Sequence, residues 1–353
     1  MLRIASNRKE KIALIASYIV GIIIIAILLH FVGYDRVLLV ISRMSVQFFL
    51  LTLLLDLAGL VFYALTWHIL LKGLRCDVKF KTSLSVSLAS IFTCYVTPSG
   101  VLLELVRVAL INREAKVPIG KGAAAVVMHR ILYTLGFILC AIVSYIALYG
   151  EYTAPRAIEL IILMSIVASL IFALVIFYLS QRADILERIA NKIFSLIEDR
   201  IQKTLKKYES ISLSESFSEV VNDFRNAFIE LKSNSIYLFM AFIMVVVTWI
   251  ADIAIFYVVF ISLNYPIPIW IAALTIVIGD FIQMTPIMIP GMLGILETVF
   301  TTALTSFGIP MDIAASAAIL ARIATFWFDI PVTAIAASYY GFKYLIKGVE
   351  AIS

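Results

Sequence analysis

Residues 82–111 read TSLSVSLASIFTCYVTPSGVLLELVRVALI, an apolar stretch broken at its middle by Thr97-Pro98-Ser99-Gly100. A helix that crosses the hydrocarbon layer needs about 20 consecutive apolar residues. The break leaves about 15 residues before it and about a dozen after it, too few on either side. A second stretch, 268–307, is interrupted in the same manner by Pro286 and by Pro290-Gly291-Met292-Leu293-Gly294. Loosened backbone at membrane depth survives only where protein or a wet cavity covers it. Both stretches are therefore expected to be re-entrant helical hairpins.

The rest of the chain sets these hairpins in a bilayer. Of 353 residues, 63% are hydrophobic and 14% charged, against about 25% charged in an ordinary soluble domain. That excludes a soluble enzyme, a disordered chain and a secreted disulfide scaffold. Six uninterrupted segments are long enough to span: 12–33, 47–71, 119–149, 156–180, 235–262 and 310–341. The first is too long for a signal-peptide core and has no small-residue cleavage site after it, so it reads as retained. The predicted fold is an all-α polytopic membrane protein, six full spans plus two re-entrant hairpins.

Charge gives the orientation. With the N-terminus in the cytoplasm, segments 1–11, 72–83, 112–121, 181–233 and 342–353 face inward and hold 22 of the 28 Lys and Arg residues. Arg36, Arg43 and Arg156 fall outside, and Arg107, Arg130 and Arg322 lie within apolar segments. The positive-inside rule demands such a split, and it puts both termini in the cytoplasm. The net charge of +5 is topology, since no basic face with aromatic support points to nucleic acid.

The order of elements suggests an inverted repeat. Residues 1–180 carry the first repeat (spans 12–33 and 47–71, re-entrant 82–111, span 119–149) and the first span of the second, 156–180. Residues 181–233 form a cytoplasmic linker of amphipathic helices, the second opened by a Ser216–Glu219 capping box. Residues 234–353 complete the second repeat with span 235–262, re-entrant 268–307 and span 310–341. Three crossings per half turn the halves upside down relative to each other. Gly100-Val-Leu-Leu-Glu104 resembles Gly294-Ile-Leu-Glu297, and each glutamate precedes an arginine, Arg130 or Arg322, by 26 or 25 residues. Inverted repeats with broken helices hold their cargo near the midplane, between the halves.

Ionisable groups at that depth cost about 2.5–3.5 kcal/mol each on insertion scales and mark partners or pathways. They are Glu104, Arg107, His129, Arg130, Asp252, Asp280, Glu297, Arg322 and Asp329, with Asp56 lying apart. Helix starts after the breaks at Pro98, Gly100, Pro286, Pro290, Gly291 and Gly294 would aim N–H groups inward, a ready anion site. Arg107, Arg130 and Arg322 add cations whose planar forks grip phosphate oxygens. They are the candidate contacts for an anionic headgroup, with Glu104, Glu297, His129 and Asp280 orienting or gating them. The same pairs, Glu104 with Arg130 and Glu297 with Arg322, also read as salt bridges locking each hairpin to the next span. Trp67, Tyr149, Tyr152, Trp270, Tyr339 and Tyr340 read as interfacial anchors. The three cysteines and three histidines show no metal or redox spacing, so neither metal nor cofactor is expected.

The strings Thr97-Pro98-Ser99-Gly100-x-x-x-Glu104-x-x-Arg107, His129-Arg130, Pro290-Gly291-x-x-Gly294-x-x-Glu297 and Gly308-x-Pro310 resemble the flippase-like membrane region of the lysylphosphatidylglycerol synthase family. The resemblance implies a cell-membrane protein that moves an anionic phospholipid or a lipid-linked precursor, such as a lipid-linked sugar, between leaflets. The chain stops at Ser353 without a soluble synthase domain, so it matches the transporter half only, and no enzymatic activity is expected. Alternative readings are an ion- or proton-coupled carrier of a small solute, with Asp252 and Asp280 coupling, and a membrane-embedded lipid or glycosyl transferase or its accessory subunit. Partners beyond lipids would be a second copy or an envelope-building enzyme.

Overall fold

The structure, a computed structural model, describes residues 8–96, 100–148, 156–182, 213–283, 285 and 289–350. Every regular element among them is helical. In chain order these are α1 (Arg8–Val32), α2 (Tyr34–Ser42), α3 (Val46–Gly73), α4 (Phe80–Val96), α5 (Gly100–Ala115), α6 (Ile119–Leu148) and α7 (Arg156–Gln181). There follow α8 (Leu213–Ser233), α9 (Ser235–Ser262), α10 (Ile269–Gln283), α11 (Ile295–Ser306), α12 (Met311–Arg322) and α13 (Asp329–Glu350). Six helical stretches are long and apolar enough to cross a membrane: Ile15–Val32, Val46–Gly73, Ile119–Ala147, Ile158–Gln181, Ser235–Ser262 and Met311–Gly341. This is a multi-pass membrane protein.

Both interrupted segments are pairs of short helices. α4 packs on α5, and α10 on α11. The central contact of the bundle is α3 against α9, and the halves interlock around it, since α4 lies on α13 while α10 lies on α6. α6 also crosses α9, where Gly136 fits against Val245 and Trp249. Helices that are apolar on every side bury one stripe in the bundle and leave the rest for lipid. In α7, Ile158, Ile162, Ser165, Ser169 and Ala173 are buried, whereas Leu163, Met164, Val167 and Ile171 are exposed.

Four features depart from the sequence reading. The connection after α1 contains the short helix α2, whose Val37 packs beside Ala315 of α12. The last span is not uniform: Ile323–Trp327 forms a π-turn, closed by Phe328 N–H donating to the Ile323 carbonyl at 3.0 Å. α8 begins at Leu213, so Ser216 lies inside it and is no cap. The helix proposed before it falls outside the described residues. Finally, Trp67 and Tyr340 are buried rather than anchored at an interface; Tyr340 hydrogen-bonds Ser85 at 2.6 Å. Tyr149 and Tyr152 also lie outside the described residues.

α8 docks its apolar stripe, with Val221, Ala227, Phe228 and Leu231 buried, onto α6, α7, α9 and α3. Its Glu230 lies 3.6 Å from Arg75 and 4.0 Å from Lys121. Asn234 donates to the Gly73 carbonyl at 2.8 Å. The linker helix thus clips together the segments on one end of the bundle.

The α6–α9 crossing gives a direct test. A Cβ at Gly136 would sit 2.6 Å from Val245 Cγ1 and 2.9 Å from Trp249 Cδ1. Gly136→Ala is expected to cost about 1–3 kcal/mol by overpacking. Gly341→Ala, with nothing within 4 Å, is expected to be neutral. Thermal unfolding in detergent, followed by tryptophan fluorescence, distinguishes the two.

Candidate functional site

Two glutamate–arginine pairs tie the short helices into the bundle. In the second half, the chain leaves Pro290 through a 3-10 turn with Gly291 at φ 57° and Gly294 at φ 81°, left-handed backbone that a side chain resists. Gly294 caps α11, and its N–H donates to Glu297 Oε2 at 2.6 Å. The other oxygen of Glu297 accepts from Arg322 Nε at 3.1 Å. Arg322 also donates to the Gly291 carbonyl at 2.5 Å, and its guanidinium lies 4.5 Å from the Phe326 ring centre. One carboxylate thereby caps its own helix, holds α12, and leaves neither oxygen free. Both side chains are buried.

The first half repeats the pairing in a looser form. Glu104 on α5 accepts from Arg130 Nη2 at 2.6 Å. Its second oxygen lies 3.4 Å from Arg107 Nη1, an ion pair without a hydrogen bond. Arg107, fully buried, donates to the Tyr63 hydroxyl at 2.6 Å and to His129 Nδ1 at 3.1 Å. The rings of Tyr63 and Trp67 lie 4.8 and 5.2 Å from the guanidinium carbon. A guanidinium only donates, so Nδ1 of His129 is the unprotonated nitrogen and Nε2 carries the proton.

Arg130 differs from the other two arginines. Its side chain is 41% exposed, against 0% for Arg107 and 9% for Arg322. It is the twelfth residue of α6, about 17 Å along the axis at 1.5 Å per residue. Around it gather other half-buried polar side chains: Tyr63 on α3, Glu104, Tyr133 on the next turn of α6, Asp252 on α9 and Asp280 on α10. Asp280 Oδ1 accepts from Gln283 at 3.0 Å, and Tyr133 lies near Asp252. These half-buried side chains come from α3, α5, α6, α9 and α10, helices of both halves of the chain. No cluster of three or more metal-ligating side chains exists among the described residues.

Of the residues singled out from sequence, Glu104, Arg107, His129 and Arg130 form one network, extended toward Asp280; Glu297 and Arg322 form another with Pro290–Gly294. Gly100 opens α5. Pro98 and Pro286 lie outside the described residues. Tyr63 and Tyr133 were missed. Their signal was available, since each is a tyrosine in the middle of an apolar span rather than at its end.

The chain matches the family model described as the lysylphosphatidylglycerol synthase TM region over residues 14–332, and it belongs to that family. It is 26% identical to a UPF0104 membrane protein of Pyrococcus horikoshii, over 88% of this chain and 92% of the relative. A UPF0104 membrane protein of Methanothermobacter thermautotrophicus is 23% identical over 95% of each chain. One of Archaeoglobus fulgidus is 26% identical over 91% of this chain and 95% of its own.

The difference between the two pairs is measurable. Removing one partner of a buried ion pair costs about 3–5 kcal/mol, whereas an accessible pair is worth about 1 kcal/mol or less. Arg322→Ala is therefore expected to lower the unfolding midpoint in detergent far more than Arg130→Ala. Equal losses would show that exposure does not separate the two pairs.

Proposed function

We propose that this member of the lysylphosphatidylglycerol synthase membrane family translocates an anionic phospholipid or lipid-linked precursor between the leaflets of the cell membrane. The observation that carries the reading is Arg130, a permanently charged group, accessible yet far along a spanning helix. Only part of its fork is committed to Glu104. A phosphate can take the place of that carboxylate with similar bidentate geometry. The acyl or isoprenoid chains stay in the bilayer.

In this reading α4–α5 and α10–α11 are re-entrant hairpins, the first opening to the cytoplasm and the second outward. The reciprocal packing of α4 on α13 and of α10 on α6 supports an inverted repeat, and the lysine and arginine distribution supports cytoplasmic termini. Arg107 and Arg322 then serve as locks, and the headgroup contact passes to Arg130 alone. Glu104, shared between Arg107 and Arg130, is the switch: when phosphate takes Arg130, the carboxylate moves fully onto Arg107. Rocking of one half against the other would alternate access to Arg130. No chemical step is assigned to the site.

The test is reconstitution of the purified chain in phosphatidylcholine vesicles carrying a trace of acyl-labelled phosphatidylglycerol. A membrane-impermeant quencher then reads the inner-leaflet fraction over time. Wild type is expected to expose the inner pool, and Arg130→Ala to slow it by about tenfold, the equivalent of one lost charge-assisted hydrogen bond. Wild-type vesicles no faster than protein-free ones, or an Arg130→Ala rate equal to wild type, would overturn the reading.

A further inference from the structure

Away from the arginine networks, two carboxyl groups meet in the packed bundle. Asp56 on α3 is 6% exposed and Asp329, the first residue of α13, is 4% exposed. Their side chains are within hydrogen-bonding reach of each other. The Tyr95 hydroxyl, from the end of α4, donates to Asp329 Oδ2 at 2.6 Å. Asp56 Oδ2 and Asp329 Oδ1 are both buried and meet no donor. Neither aspartate has an ion-pair partner among the described residues.

An ionised carboxylate only accepts hydrogen bonds. Two ionised carboxylates in contact would repel each other and leave both of these oxygens unsatisfied in a low-dielectric setting, a combination that proteins avoid by sharing a proton between the two. The surrounding groups reinforce the demand. Asp252 faces the pair from α9 as a third acidic group, near Tyr133 of α6 and Asp280 of α10. The nearby cation, Arg322 of α12, is committed to Glu297 and Gly291. A metal ion is a poor alternative, because no group of three or more suitable ligands is present among the described residues.

We propose that Asp56 and Asp329 form a binding site for a single proton, which the protein takes up and releases as it works. Binding converts one carboxylate to a carboxylic acid that donates to the other. Release returns that proton to water and leaves two carboxylates, with no other bond made or broken. Asp252, half-buried, is the neighbouring acceptor through which the proton reaches water. Phe328 alone separates Asp329 from the π-turn of Ile323–Trp327, and Tyr95 packs edge-on to Phe326 at 5.3 Å, the ring that underlies Arg322. Loss of the proton therefore pushes α13 away from α3. This link to translocation rests on the lipid-moving reading; the proton site itself does not.

Infrared difference spectroscopy of the purified full chain across a pH titration reads the site without any cargo. The expected result is a protonated-carboxyl band that disappears at high pH, is lost in both Asp56→Asn and Asp329→Asn, and is shifted in Tyr95→Phe. Asp56→Glu, which keeps the acid, is expected to restore a band and guards against misfolding in the amide variants. Absence of the band from wild type, its survival in both amide variants, or its removal by sodium at constant pH would overturn the proposal. In phosphatidylcholine vesicles with acyl-labelled phosphatidylglycerol, a pH gradient is expected to change the wild-type transfer rate and leave that of Asp56→Asn unchanged. An intact band with a gradient-insensitive wild type would refute the coupling. An intact band with no wild-type lipid transfer at all would overturn the lipid reading and leave the proton site standing.

Discussion

An arginine inside a membrane protein cannot escape its cost by losing its proton, so each one must be met by a carboxylate or by several dipoles. That requirement organises this fold. Glu297 answers Arg322 and, with its other oxygen, caps α11; Glu104 answers Arg130 and leans on Arg107. Each carboxylate sits at the start of a helix that is too short to span and would otherwise be held only by packing. The charge pairs connect these loose elements to the long helices that follow them.

The two solutions are alike in sequence spacing and unlike in solvation. Around Glu297 both carboxylate oxygens and the Gly291 carbonyl are matched, and the cluster is buried. Around Glu104 one carboxylate serves two arginines, and the outer one keeps N–H groups toward accessible space. A closed pair resists rearrangement because any alternative strands a charge. An open pair can change partners at low cost because water or a polar headgroup can stand in. In the proposed translocation, the tight pair around Glu297 would stay fixed while the looser pair around Glu104 exchanges partners.

Much of this was readable in the chain. The proline-bearing breaks at 97–100 and 286–294 marked the two divided segments, and the recurrence of Glu and Arg at 26 and 25 residues foretold which side chains would meet. What escaped is also instructive. α2 is a nine-residue helix, too short for periodicity to register against its apolar neighbours. The π-turn has no compositional signature, since an i→i+5 bond needs no particular residue type. Trp67 and Tyr340 lie near the ends of apolar runs, where aromatic residues often anchor, but position along a helix does not say which face meets protein. The exposure of Arg130 and the enclosure of Arg107 depend on how α3, α5, α6 and α10 pack together, which no local window of sequence encodes.

The wide turn at Ile323–Trp327 has one more effect, and it is geometric. In a regular helix, residues seven apart lie on one stripe, so Arg322 and Asp329 would share a face and look toward the same neighbour. The additional residue in the turn rotates everything beyond it by about 100°, the angular step of a single residue at 3.6 per turn. Arg322 is left looking at α11 while Asp329 swings round to α3 and α4. A single splice in the backbone separates opposite charges that straight coiling would have aligned, and so gives one helix two electrostatically distinct addresses.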